Sequence, residues 1–296
     1  MWFSSLFGCS GPPQAPDPLA VWQARERQNL AAGVVRLSDL DLHPTAAQLL
    51  AVLEDPGTAP VQDLRLSQVG LTTEVLAAVA DHPKLQDLRG LSLTFNPDLG
   101  DEALAIAGRA GWWSSLTRLE VDGTGITGAG LAALAGAGDL THLSVGHGDR
   151  GPSLDLPDLP SLTWLSAVEA GLSGSGALAL LARPGLEALV LDGNALGPGA
   201  LEGVQLGVAL QGLGLEDCGL GPGDAAALAG APSEALRSVS LDRNPLGDEG
   251  LDALTGATWW AGLETVGLVG TGGSPERVEA IRASWGPQQA GRAITP

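Results

Sequence analysis

Cysteine is nearly absent: Cys9 and Cys218 are the two present in 296 residues. So far apart, with one near the terminus, they offer neither a disulfide framework nor a zinc-ligand spacing. Basic residues are scarce too, with 15 Lys plus Arg against 34 Asp plus Glu and a formal net charge of −19. Affinity for phosphate polymers and anionic lipid comes largely from Lys and Arg, so this balance argues against nucleic acid and acidic membranes. It favours instead a protein partner with a basic surface. No stretch approaches the roughly 20 apolar residues that cross a bilayer. The glycine-rich turns Gly123-Thr124-Gly125 and Gly270-Thr271-Gly272-Gly273 lack the lysine of a phosphate-binding loop. No nucleophile accompanies a base, so neither an enzyme nor a cofactor or metal site is expected.

The first residues, MWFSSLFGC, are followed by a proline-rich stretch. Leu6-Phe7-Gly8-Cys9 looks like a lipoprotein cleavage box, but a basic leading region is missing and the apolar stretch is short. A cytoplasmic location is therefore expected, with lipid attachment through Cys9 as the alternative.

What is abundant is leucine at a fixed spacing. Leu186-Glu187-Ala188-Leu189-Val190-Leu191-Asp192-Gly193-Asn194 and Leu236-Arg237-Ser238-Val239-Ser240-Leu241-Asp242-Arg243-Asn244 are two copies of one skeleton. The middle apolar residues of successive copies are Val35, Leu64, Leu91, Leu119, Leu143, Leu165, Leu189, Leu213, Val239 and Val266. Their separations run from 22 to 29 residues. Such a period means that each unit is one supersecondary piece stacked on its neighbours. The 43 glycines and 20 prolines fall in register with the leucines, as punctuation between elements.

Each unit reads in two halves. Leu119-Glu120-Val121 and Leu213-Gly214-Leu215 alternate with the period of a strand. Gly130-Leu131-Ala132-Ala133-Leu134, Gly176-Ala177-Leu178-Ala179-Leu180 and Gly250-Leu251-Asp252-Ala253-Leu254 carry apolar residues three and four apart, as a helix does. Asp101-Glu102 and Asp248-Glu249 suit the positive end of a helix dipole. Strand and crossover helix, repeated, predict an α/β solenoid: a horseshoe of about ten units with parallel strands on the concave face and helices on the convex face. The expected divisions are a flexible leader at 1–16, an N-terminal capping helix at 17–31, the solenoid at 32–273, and a C-terminal cap helix and tail at 274–296. The fifth unit departs most. After Leu143-Ser144-Val145, prolines 152, 157 and 160 leave little room for a helix.

The units LVLDGNALGPGAL (189–201) and VSLDRNPLGDEGLDAL (239–254) resemble leucine-rich repeats of the ribonuclease-inhibitor type, the 24-residue copies looking closest to short bacterial variants. The resemblance covers roughly residues 30–275. It implies the horseshoe fold and, because such proteins mostly serve as binding scaffolds, a binding role. It also implies an asparagine after each strand that bonds the backbone of neighbouring turns. Asn96, Asn194 and Asn244 keep that residue; Thr124, Cys218 and Thr271 would bond more weakly; Val69, Gly148 and Ala170 would leave the ladder broken. Cys218 is accordingly expected to fill a buried turn.

Strand residues between and just after the leucines point to the concave face. There Glu120, Asp122, Asp192, Glu216, Asp217 and Asp242 form an acidic patch on repeats 4 and 7 to 9, suited to docking Lys or Arg of a partner. Arg36 and Arg65 make the other end basic. His142, His147 and Asp149 cluster in the fifth repeat, with Trp164 one repeat on; His142, His147 and Trp164 read as a contact surface, since tryptophan is enriched at interface hot spots. Of the pairs Trp112-Trp113 and Trp259-Trp260, one member each is expected to plug a helix–strand corner and the other to be partly exposed. The function expected is a non-catalytic scaffold binding a protein on its concave, partly acidic face. The alternative is a secreted or delivered effector adaptor or enzyme inhibitor acting on a foreign protein.

Overall fold

A computed structural model describes residues 18–38 and 43–284. The expected leader at 1–16, Cys9 with its proposed lipid attachment, and the tail beyond 284 lie outside the described residues. Ten short strands form one open parallel sheet in chain order: β1 (Val34–Leu37), β2 (Asp63–Leu66), β3 (Gly90–Ser92), β4 (Arg118–Glu120), β5 (His142–Ser144), β6 (Trp164–Ser166), β7 (Ala188–Val190), β8 (Gly212–Gly214), β9 (Ser238–Ser240) and β10 (Thr265–Gly267). The register sets Val35 opposite Leu64, Leu64 opposite Leu91, and so on through Val266. All ten repeat-defining residues are buried in a single core. A strand of three or four residues cannot hold itself, and stability here comes from stacking each unit on the next. The protein is a leucine-rich-repeat solenoid.

Helices line the opposite side: α1 (Pro18–Ala31), α2 (Ala46–Glu54), α3 (Thr73–Val79), α4 (Asp101–Ala107), α5 (Gly174–Leu181), α6 (Pro222–Gly230), α7 (Gly247–Thr255) and α8 (Pro275–Ser284). In α1, which packs on β1, Trp22 and Leu30 join the core. Thr45 caps α2 with its side chain, and Gln48 reciprocates to the Thr45 backbone, a capping box that satisfies two otherwise orphaned amides.

The helical layer is less regular than the periodicity predicts. The fifth repeat has no helix, as its prolines imply, and Leu154 and Leu159 enter the core from an extended segment. Gly130–Gly136 forms a 3-10 helix instead of an α-helix. A Cβ at Gly130 would come within 2.3 Å of Asp101 Oδ1, so the segment lies directly against that carboxylate. The seventh repeat has no helix at all, which the pattern did not reveal. There Gly197, Gly199 and Gly203 take φ between 72° and 82°, a left-handed backbone that breaks helical continuity. Buried Asp224, from α6, reaches back to accept the amides of Gly199 and Leu201 at 2.9 Å while also accepting that of Gly221.

Asp101 and Asp248 do more than complement a dipole. Each accepts both the amide and the hydroxyl of a residue in the next repeat: Thr127 at 2.7 and 2.9 Å, Ser274 at 2.6 and 2.8 Å. The Ser274 bonds hold the Asp248 carboxyl below its ordinary range.

Both members of each tryptophan pair are buried, which corrects the expectation that one of each would be partly exposed. The 3-10 turn Trp113–Ser115 aims adjacent rings at different repeats, and at the equivalent turn Trp260–Gly262 the Trp259 Nε1 donates to Ala231 O in the repeat before. Trp112 Nε1 donates to Ala80 O in the repeat before, and Trp113 Nε1 to Ala133 O in the repeat after.

The asparagine ladder has the form the resemblance implies. Asn194 Oδ1 accepts the amides of Ala170 and Leu172, and its Nδ2 donates to Ala167 O and Leu191 O. Asn96 and Asn244 do the same one turn from Val69 and Cys218. The Thr124 and Thr271 hydroxyls each donate one bond, to Val121 O and Leu268 O. The break expected at the fifth repeat is closed by an arginine. Arg150 is 3% exposed, and its guanidinium donates to Val145 O, Val121 O, Thr124 O and Gly146 O. Burial lowers its pKa, with Asp122 and Asp101 opposing. Cys218 is fully buried, donates to Leu191 O, and has its thiol pushed up to about 12, chiefly by burial.

Candidate protein-binding face

Because the leucines of each strand point inward, the residues between them form three columns on the concave face. The first runs Asp63, Gly90, Arg118, His142, Trp164, Ala188, Gly212 and Ser238 in register. In it Arg118 reaches across Gly90 to Asp63 at 2.9 Å, and Arg65 shares the same carboxylate at 2.8 Å. That hydrogen bond to Asp63 raises the Arg65 pKa. The basic end is thus partly neutralised within the sheet, leaving Arg36 exposed. His142 and Trp164 stack with ring centroids 6.0 Å apart and planes 26° apart, their register setting the rings one strand spacing from each other.

The acidic residues have distinct roles. Asp122 Oδ1 accepts the Gly146 amide at 2.7 Å and the Ser144 hydroxyl at 2.8 Å. Asp192 and Asp242 accept the amides of Glu216 and Val269, each at 2.8 Å. All three lean over the following strand and hold an amide that points back toward them where the backbone turns away. Glycines make room: a Cβ at Gly214 would lie 2.8 Å from Asp192 Oδ1, and one at Gly267 would lie 2.7 Å from Asp242 Oδ1. Burial, reinforced by Glu216 and Asp242, raises the Asp192 pKa against the opposing Glu216 amide and Arg243. Glu216 pairs with Arg243, and Glu120 lies 3.8 Å from Arg118. Asp217 is exposed on the rim rather than within the sheet face.

The rim is a left-handed residue repeated after each strand from β2 to β10: Gln68, Phe95, Gly123, His147, Glu169, Gly193, Asp217, Arg243 and Gly270, with φ between 49° and 66° except for Gly193 at 70°. The amide of each of these from Gln68 to Arg243 donates to the carbonyl of the next repeat's preceding residue, for example Phe95 to Asp122 and His147 to Val168. Phe95, 43% exposed, lies over Gly123 and meets the His147 ring at 5.7 Å. His147 Nδ1 in turn lies 3.2 Å from Glu169 Oε2. Sequence reading missed Phe95, whose signal is a large apolar residue where the repeat demands a positive φ.

His142 and His147 therefore belong to separate pairs, one in the sheet and one on the rim, and Asp149 accepts the Gly151 amide in its own turn. Among the described residues no three His, Cys, Asp or Glu converge to hold a metal ion. No described helix is long and apolar enough to cross a membrane.

The class defined here is a leucine-rich-repeat solenoid with an open, side-chain-bearing concave sheet. No protein-family model and no curated protein matches the chain. Among solved structures it is similar to a chain in the crystal structure of the yeast Rad7 and Elc1 complex, with a TM-score of 0.55 and 16% identity over 89% of this chain and 73% of that one. It is also similar to an internalin from Listeria monocytogenes, with a TM-score of 0.46 and 17% identity over 83% and 68% of the two chains. At these identities the first likeness concerns the fold alone, and the second carries no weight.

Proposed function

We propose that the protein is a non-catalytic interaction scaffold that binds a protein partner on its concave face. The observation that carries this reading is the first column of the sheet. Arg118, His142 and Trp164 stand side by side on three adjacent strands, partly exposed, on a frame whose inward strand residues are buried in one core. Rigid presentation of aromatic and arginine side chains is how interfaces gain affinity at low ordering cost. The carboxylates Glu120, Asp122, Asp192, Glu216, Asp217 and Asp242 bias the face toward a basic surface. The similar fold in the yeast Rad7–Elc1 structure, a complex of two proteins, is in keeping with a partner-binding role. Units as short as 24 residues, one of them with an α-helix (Gly174–Leu181) opposite the sheet, are in keeping with a short-repeat, ribonuclease-inhibitor-like subtype of bacterial kind.

The test compares two double variants as bait for partners in native lysate. His142→Ala/Trp164→Ala alters the concave face; Glu102→Lys/Glu249→Lys alters exposed helix positions. Capture lost with the first and kept with the second supports the reading. The reverse pattern overturns it.

A further inference from the structure

Four glycines occupy outward positions of the concave strands, where glycine weakens a strand and needs a reason. Three have one inside the chain. At Gly90 a Cβ would meet the Arg118 guanidinium at 3.0 Å, at Gly214 the Asp192 carboxylate, and at Gly267 the Asp242 carboxylate. Gly212 has none: the nearest atom to a Cβ there is Ala188 Cβ at 3.7 Å, an ordinary contact. Its neighbour in register is small as well, and beyond Ala188 stands Trp164. His142 stacks on that ring from β5, and on β7 its neighbour in register, Ala188, presents only a methyl group. At the far end of the same strands lie the Asp192 and Asp242 carboxylates, each with one oxygen committed to a backbone amide. From Ala188 to Asp192 is about 13 Å along the strand, the reach of about four extended residues.

We infer that the concave face of repeats 6 to 8 seats an extended, arginine-bearing segment of a protein partner. Its backbone crosses β8 at Gly212, where no side chain stands in the way. One guanidinium lies on the uncovered face of Trp164, and a second basic group meets Asp192. Charge and shape agree on this occupant: a planar cation stacks on indole and also pairs with carboxylate. The inference rests on the scaffold reading and names the chemistry of its partner.

The probe is fluorescein-labelled nona-arginine, read by anisotropy at physiological salt, with nona-glutamate as the opposite-charge control. A strongly acidic protein attracts any polycation, so the decisive variants leave the charge unchanged. Gly212→Leu fills the floor, Trp164→Ala removes the wall, and Gly138→Leu adds the same bulk at an exposed loop position with nothing within 4 Å. The expected result is binding by the wild type that falls at least fivefold in Gly212→Leu and in Trp164→Ala and is unchanged in Gly138→Leu. Should Gly212→Leu lose the wild-type melt, Trp164→Ala reads the same seat. Equal binding by Trp164→Ala and wild type, an equal loss in Gly138→Leu, or no binding by the wild type overturns the inference. If concave-face variants still abolish partner capture in any of those cases, the scaffold reading stands without it.

Discussion

Arg150 Nη2 donates to the carbonyl of Val121 at 2.8 Å, tying the fifth repeat to the strand end of the fourth. The same guanidinium serves Val145 and Thr124, so one side chain does for this pair of turns what asparagine does elsewhere. An arginine fits because its fork reaches several carbonyls at once, and its buried charge is balanced by the partial negative charges of those oxygens and by nearby Asp122 and Asp101.

Replacing Arg150 with Met keeps much of the stem and removes every donor. Several buried carbonyls then lose their partners, and unfolding free energy is expected to fall by about 3 kcal/mol. Arg150→Lys, with three donors on one nitrogen, should recover part of it. Urea unfolding followed by circular dichroism checks both; a Met variant as stable as wild type contradicts the role.

Asn194→Ala should cost about 2–4 kcal/mol, since two amides and two carbonyls lose a buried partner. Thr271→Ala removes one hydrogen bond, to Leu268, and should cost about 1 kcal/mol. Urea midpoints of the two variants should differ in that order.

Asp192 has a raised pKa, so the native state holds its proton more tightly than the unfolded chain. Protonation therefore favours the fold, and the ionised carboxyl carries a penalty at neutral pH that fades as pH falls below the ordinary carboxylate range. Asp192→Asn keeps an oxygen for the Glu216 amide and removes the charge. Its melting temperature should match or exceed that of wild type at pH 7, with the gain vanishing near pH 3. Asp192→Ala, which leaves the amide unpaired, should melt lower at both.

Cys218 is buried with its thiol near 12, so it should resist thiol reagents in the native protein. In a Cys9→Ser background, modification by a chromogenic disulfide at pH 8 should proceed at the rate of unfolding. Fast labelling of the folded protein contradicts the buried placement.

The strands were legible because each carries its leucines at a period that only stacking explains, and Val35 through Val266 fall opposite one another in the sheet. The helical layer was harder to read. Helix or turn after each strand depends on contacts between repeats, such as Asp224 reaching back to Gly199, which no window of local sequence contains. Arg150 escaped for the same reason: nothing in Gly148-Asp149-Arg150-Gly151 says that its side chain turns inward. On the concave face, composition revealed the carboxylates. That Asp122, Asp192 and Asp242 also brace the next strand appears only when each is seen against the glycine or serine beside it.

A photo-crosslinking amino acid placed in turn at Ser166, Val190 and Ser240 on the concave strands, and at Glu102, Leu178 and Glu249 on the helical side, locates the partner directly. Adducts of defined mass from the concave positions, and none from the helical ones, are the predicted result. Adducts confined to the helical side would contradict a concave binding face.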